Sequence, residues 1–188
     1  MADMLGGSLP TPMVLDMVYA ASARRATPCP QAISSTTAAM VRHSRMVDAV
    51  VPPGAGVVAT VGKHWVLDKK LETSTTKACN YGWHFVGSSF QGIKGYTPAS
   101  PGTTGSGVSV IQQNATAHDL HHSDYSQVCQ LVSQQCWIGG IERTFSEVVT
   151  DPVLGRFVSH QGRLSIDRQP GVGRVGGPRV VMPVSIVS

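Results

Sequence analysis

The sequence predicts an α+β fold in a single domain spanning residues 1–188, with N-terminal helices followed by a mostly antiparallel sheet. Two segments with apolar residues three and four positions apart fall within the first fifty residues, as in amphipathic helices. Beyond Gly54 the chain changes to short runs of β-branched and aromatic residues, which favour strands. Helices that precede the strands, instead of alternating with them, indicate the α+β class. We therefore expect a helical part at residues 1–52, a β-rich core at 54–160, and edge strands or a tail at 170–188.

The composition is that of a folded domain with few charges. The chain has 188 residues, of which 41% are hydrophobic, enough for one core of ordinary size. Charged residues make up only 14%, against about 25% in an average domain. The net charge of +4 and the 6% of aromatic residues do not favour a nucleic-acid partner. No phosphate-binding glycine motif follows a predicted strand, so we expect no nucleotide cofactor. No segment approaches the roughly 18 consecutive apolar residues of a membrane span.

Two helices are predicted near the N-terminus. Thr11 and Pro12 form a start signal, because threonine can cap free N–H groups and proline at the first position sacrifices no hydrogen bond. Arg24 and Arg25 are expected in the last turn of this helix, where basic residues suit the helix dipole. A second helix is predicted over residues 35–50, with His43 on its surface.

Short strands and turns are predicted for most of the remaining chain. Strands are expected at residues 56–61, 64–67, 81–86 and 108–112, with Lys63 and His64 at a solvated strand end, and residues 88–107 form a long surface loop. Residues 127–145 predict a hairpin whose tight turn is Gly139–Gly140, since glycine tolerates a positive φ. A short helix capped by Ser146 follows and is interrupted at Pro152.

The strongest chemical signal is a segment rich in histidine and aspartate. It contains three imidazoles and two carboxylates within seven residues: His118, Asp119, His121, His122 and Asp124. These are ligand types that zinc and iron centres use. The segment lacks helical periodicity, so we place it in a loop that enters a strand. It predicts a divalent metal site, with zinc as the expected ion; a metal-free polar site and a solvated loop are the alternatives.

A second histidine is predicted to join this site from a strand. His84 lies between Trp83 and Phe85, and partial burial there would lower its pKa and keep the imidazole neutral. We predict that His84 and His118 converge, with imidazole nitrogens within roughly 8 Å of each other. The predicted metal ligands are His84, His118, His122 and Asp124. The predicted catalytic residues are His84, His118, Asp124 and Ser126, although no G-x-S-x-G elbow surrounds this serine.

Several segments together resemble an uncharacterised bacterial protein family. The resemblance is carried, in order, by Leu5-Gly-Gly-Ser-Leu-Pro-Thr-Pro, by Tyr81-Gly-Trp-His84, by His118 and by Asp124-Tyr125-Ser126. It covers most of the chain and implies no activity. It implies that His84, His118, Asp124, Tyr125 and Ser126 belong to one site, and that more chain normally precedes Met1. The family tends to have histidine after the D-Y-S segment, where this chain has Gln127.

Two functions of different kinds agree with these features. The first is a small hydrolase that acts on a small molecule or a peptide at a His/Asp-rich site, either with a divalent metal or without one. The second is a non-enzymatic binding or structural module that self-associates, because a poorly charged edge strand at residues 180–187 can pair with another chain. The four cysteines form no C-x-x-C motif and are expected as free thiols. No secretory signal is present as written, so we expect a cytoplasmic protein, or a secreted one if Met1 is not the natural start.

Overall fold

A computed structural model describes residues 5–32, 34–59, 61–85, 102–103 and 109–166. The helices in these ranges are α1 (Pro12–Ala21), α2 (Thr37–Val50) and α3 (Phe145–Thr150). The strands are β1 (Gly7–Ser8), β2 (Arg24–Arg25), β3 (Val58–Ala59), β4 (Lys63–Val66), β5 (Cys79–Phe85), β6 (Gly102–Thr103), β7 (Ser109–Ala115), β8 (Gln127–Val128), β9 (Val132–Ser133), β10 (Gln135–Ile138) and β11 (Ile141–Thr144). Short 3₁₀ turns lie at Lys69–Leu71 and Leu154–Phe157. The predicted α+β class is confirmed, although short strands also precede α2 and α3 follows the sheet.

The largest sheet has five strands in the order β6-β7-β5-β4-β8. Its neighbours run antiparallel except for β4 and β8, which are parallel. Strand β5 lies at the centre, and all seven of its residues are buried. Three two-stranded pairs complete the described structure: β1 with β9, β2 with β3, and β10 with β11. The central position of β5 makes it the element from which side chains reach both neighbouring helices.

Helix α1 begins where the sequence predicts and ends earlier. The Thr11 hydroxyl accepts a hydrogen bond from the Val14 backbone N–H at 3.2 Å, as an N-cap does. Arg24 and Arg25 lie in β2 and not in the last helical turn, so that prediction is wrong. The Arg25 guanidinium nevertheless donates to the carbonyls of Tyr19 and Ala20, at 2.9 and 2.8 Å. This basic side chain, which lies outside the helix, therefore binds backbone carbonyls that have no partner within the last turn.

A backbone irregularity in β5 sends neighbouring side chains to different helices. Gly82 and Trp83 have φ angles of 147° and 56°, which interrupt the alternation of a regular strand. Gly82 is tightly constrained, because a Cβ there would lie 2.7 Å from the Gly62 carbonyl oxygen. Tyr81 packs in a core cluster with residues of α1, whereas Trp83 packs in a cluster with residues of α2. The His84 side chain, like that of Tyr81, points towards α1, so the side chains of Trp83 and His84 lie on different sides of the strand.

The predicted hairpin is present in a shorter form. Strands β10 and β11 meet at Gly139 and Gly140, whose φ angles of 59° and 80° suit a tight two-residue turn. The part of the predicted hairpin that precedes the turn, residues 127–138, is divided into β8, β9 and β10, each paired with a different partner. Helix α3 is capped by Thr144 in a capping box with Glu147, and not by Ser146.

The third core cluster lies beside α3. It contains Leu67, Phe145, Val149 and Leu164, so the chain that follows α3 closes over the end of β4. Most of the predicted 88–107 loop and the whole 170–188 segment lie outside the described residues. Within the described ranges, none of the helices is both long enough and apolar enough to cross a membrane.

Candidate functional site

The His/Asp-rich segment lies against the edge of the central sheet. The Lys63 backbone N–H donates to the Ser126 carbonyl at 2.7 Å, and β8 then pairs with β4. Gly62 permits this approach, because a Cβ there would lie 2.6 Å from the Ser126 oxygen. At its other end the segment is held by the Ala78 N–H, which donates to the His118 carbonyl at 3.1 Å. Backbone contacts at both ends thus position the side chains between them.

Asp124 is held by polar contacts to both of its carboxylate oxygens. Its Oδ1 accepts from the Ser126 backbone N–H at 2.8 Å and from the Ser126 hydroxyl at 2.5 Å. Its Oδ2 accepts from the Lys63 ammonium at 3.0 Å and lies 3.5 Å from the His122 Nε2 atom. Burial raises the pKa of Asp124, but the Ser126 hydrogen bonds and the Lys63 charge outweigh it and lower the pKa to about 2. The carboxylate is therefore ionised at neutral pH.

Two imidazoles lie beside this carboxylate. The rings of His118 and His122 stack with centroids 3.7 Å apart and planes 10° from parallel. Burial lowers the pKa of His118, and the charges of His122 and Lys63 lower it further. Neutral imidazole is the form that binds metal ions. One ligand atom from each of His118, His122 and Asp124 lies within 4.8 Å of the other two.

The separations suit a small divalent cation after one adjustment. Two ligands of a tetrahedral zinc ion lie roughly 3.3 Å apart at bond lengths of about 2.0–2.1 Å. The His122 Nε2 and Asp124 Oδ2 atoms are 3.5 Å apart, close to that value. Stacked rings hold their in-plane lone pairs in parallel planes, so the His118 ring must turn to share one ion with His122. His118 is only half-buried, which leaves room for that turn.

The predicted site residues divide into two groups. His118, His122, Asp124 and Ser126 come together as described above. The Ser126 hydroxyl is fully buried and bound to Asp124, so it orients the carboxylate and does not face a substrate as a nucleophile. His121 is exposed and does not belong to this group.

His84 lies in a separate cluster and is not a ligand of this group. Its Nε2 donates to the Asp16 carboxylate at 2.9 Å, and its ring stacks on Tyr19 with centroids 5.1 Å apart. The Tyr81 hydroxyl donates to the same carboxylate at 2.6 Å, and His160 Nε2 lies 3.3 Å from its other oxygen. His84 lies apart from the His/Asp-rich segment because the irregularity at residues 82–83 turns it towards α1. On the other side of the strand, the Lys63 ammonium lies over the Trp83 ring.

Sequence reasoning missed two residues that organise these clusters. Lys63 was predicted at a solvated strand end, but it is buried with only 10% of its side chain exposed. Its flanking Gly62 is the signal, because a glycine beside a strand marks a close approach of another chain segment. Asp16 is buried within an apolar helical stretch, where a carboxylate requires partners.

Two other side-chain predictions can be compared with the structure. His43 was predicted on the surface, but it is buried, with Nε2 3.8 Å from the Cys29 sulfur and its ring against Tyr125. All four cysteines are free thiols.

Comparison of the chain with protein-family models, with curated proteins and with solved structures finds no match.

Proposed function

We propose that the protein is a small hydrolase whose site is a divalent metal centre formed by His118, His122 and Asp124, with zinc as the favoured ion. The observation that carries this proposal is the convergence of two imidazole nitrogens and an ionised carboxylate oxygen within 4.8 Å. Two histidines and one carboxylate are a ligand set that catalytic zinc sites use. His84, which binds Asp16, is left out of this centre.

The residues around the centre support hydrolysis more than a purely structural metal. Three protein ligands leave a fourth position of a tetrahedral ion for water or substrate. An ion held there supplies a Lewis acid and lowers the pKa of bound water. The Ser126 hydrogen bonds fix one oxygen of Asp124, so that the other oxygen faces His122. The side chains of His118 and His122 are partly exposed, so the centre lies close to the surface, where a substrate can approach it.

Metal analysis of untagged protein tests this proposal first. Protein equilibrated with zinc and then dialysed is expected to retain about one ion per chain, measured by mass spectrometry of the metal. His118→Ala should lose the ion. His121→Ala is the matched control, because it removes an exposed imidazole of the same loop, three residues after His118. Less than about 0.2 zinc per chain, unchanged by His118→Ala, would contradict the proposal.

Activity is then measured on chromogenic ester, phosphoester and peptide substrates. The zinc-loaded protein should hydrolyse one of these classes, and both chelation and His118→Ala should abolish the turnover. Turnover that survives both treatments would assign hydrolysis to another part of the molecule.

Exposed apolar residues support the second candidate, a self-associating binding module. Trp137 and Ile141 of the β10–β11 hairpin are 61% and 60% exposed. Among the described residues, no third strand pairs with this hairpin. Light scattering over a hundredfold concentration range tests the idea. Association that Trp137→Ser weakens would support it, and a monomer throughout would exclude it.

A further inference from the structure

Lys63 is a buried lysine that lies between two strands of the central sheet. Its backbone pairs with Gly82 of β5 and with Gln127 of β8, so strands on both sides hold its Cα in position. Its ammonium lies 5.8 Å from the centre of the Trp83 ring and 3.0 Å from the Asp124 Oδ2 atom. The Lys63 ammonium thus places a positive charge, held by two strands, next to the Asp124 carboxylate.

The charge reaches the same oxygen that a metal ion needs. Asp124 Oδ1 is used by two hydrogen bonds from Ser126, so Oδ2 is the oxygen that faces both Lys63 and His122. In the absence of an ion, the ammonium supplies the counter-charge that a buried carboxylate requires. When an ion binds, two cations share one oxygen and repel each other across a short distance.

We propose that Lys63 is a built-in competitor of the metal ion: its ammonium holds the Asp124 carboxylate in place while the centre is empty, and it weakens the affinity for the ion. This inference rests on the proposed metal centre and adds a control of its occupancy. The protein then holds zinc reversibly, and the loaded fraction follows the supply of free ion. A centre without such a lysine would bind more tightly but would be less ordered when empty.

Two variants of Lys63 test the competition. Lys63→Met keeps the apolar stem that packs near Trp83 but removes the charge, and Lys63→Gln keeps a hydrogen-bond donor without the charge. Zinc affinity is measured by competition with a chromophoric chelator, and the melting temperature is measured in chelator and in excess zinc. Both variants should bind zinc at least about tenfold more tightly than the wild type. Both should melt at a lower temperature in chelator, and zinc should close that gap.

Lys77→Met is the matched control, because the Lys77 ammonium donates to the Ala117 carbonyl at 3.3 Å, next to His118, and forms no ion pair within the described part of the chain. It should change zinc affinity by less than about twofold. Unchanged or weaker zinc binding in both Lys63 variants, in a protein that loses zinc on Asp124→Asn, would overturn the competition and leave the metal centre standing. Zinc binding by neither the wild type nor the Lys63 variants would overturn both proposals. Zinc binding with the expected tightening but without hydrolysis would support the competition and contradict the hydrolase.

Discussion

Two aspartates on different sides of β5 have opposite surroundings. Asp16 of α1 is 2% exposed and is enclosed by Tyr81, His84 and His160. Asp124 is also buried, but it is paired with Lys63 and lies beside two stacked histidines that reach the surface. Each cluster contains two imidazoles and one carboxylate. The Asp16 cluster directs its donors inward onto one carboxylate, whereas the Asp124 cluster leaves imidazole nitrogens near a common point.

The difference teaches that composition alone does not define a site. In the Asp16 cluster the Nε2 atoms of His84 and His160 form hydrogen bonds with Asp16. These bonds join a strand and a loop to α1. In the Asp124 cluster, His122 Nε2 has no hydrogen-bond partner at ordinary distance among the residues that the structure describes. A buried polar atom without a partner is costly, and a bound ion would remove that cost, in agreement with the proposed metal centre. The hydrogen bonds of the first cluster give it a stabilising role.

The largest expected effect comes from Asp16→Asn. The substitution replaces a buried carboxylate that contacts Tyr81, His84 and His160, and it should lower the free energy of unfolding by about 4 kcal/mol. Urea denaturation measures the change, with Asp48→Asn, at an exposed position of α2, as the control. Zinc retention should be unaffected. If zinc is lost from a variant that remains folded, the two clusters are one functional unit and the contrast between them fails.

The next effect is a dependence of stability on pH, on the Asp16 side of the sheet. His64 pairs with Tyr81 across β4 and β5, and burial, together with the charge of His84, lowers the pKa of His64 to about 4. Its unfolded pKa is about 6.5, so the unfolded state takes up a proton first as the pH falls. Unfolding free energy should drop by about 3 kcal/mol between pH 6.5 and 4. His64→Gln should flatten this range and His121→Gln should not; equal slopes in all three proteins would contradict the assignment.

The Asp124 side should respond in a lower pH range. The folded pKa of about 2 lies below the unfolded value of about 3.9, so the stabilisation by Asp124 is complete above pH 4 and is lost as the pH falls towards 2. Asp124→Asn should remove this response. At pH 7 it should cost about 2 kcal/mol, because Lys63 loses its partner while 10% of its side chain remains exposed to water. An acid response that persists in this variant would place its origin at another carboxyl group.

The smallest effect is expected for His160→Ala. This imidazole is 35% exposed and lies at 3.3 Å from Asp16, so its removal leaves the Tyr81 and His84 hydrogen bonds in place. The free energy of unfolding should fall by about 1 kcal/mol. A loss as large as that of Asp16→Asn would show that the cluster depends on all its donors together, which double-mutant cycles with His84→Ala can measure.

Features that depend on neighbouring residues could be predicted from the sequence. Thr11 and Pro12 start α1, and Gly139 and Gly140 form the hairpin turn, because caps and tight turns need particular residues over a few positions. The dense run of His and Asp also predicted that His118, His122 and Asp124 lie close together, since all three belong to one loop and cannot move far apart. These assignments needed no knowledge of distant parts of the chain.

The tertiary structure decided which distant groups reach each carboxylate. Lys63 meets Asp124 across 61 positions and His84 meets Asp16 across 68, through strand pairing and helix packing that no local pattern specifies. The side of β5 on which His84 lies depends on two backbone angles at residues 82 and 83, since one irregular residue reverses the alternation of a strand. The sequence by itself determined the fold class and one polar loop. The packed structure decided that this loop is joined by Lys63 and not by His84, because a side chain's partners are set by register and burial.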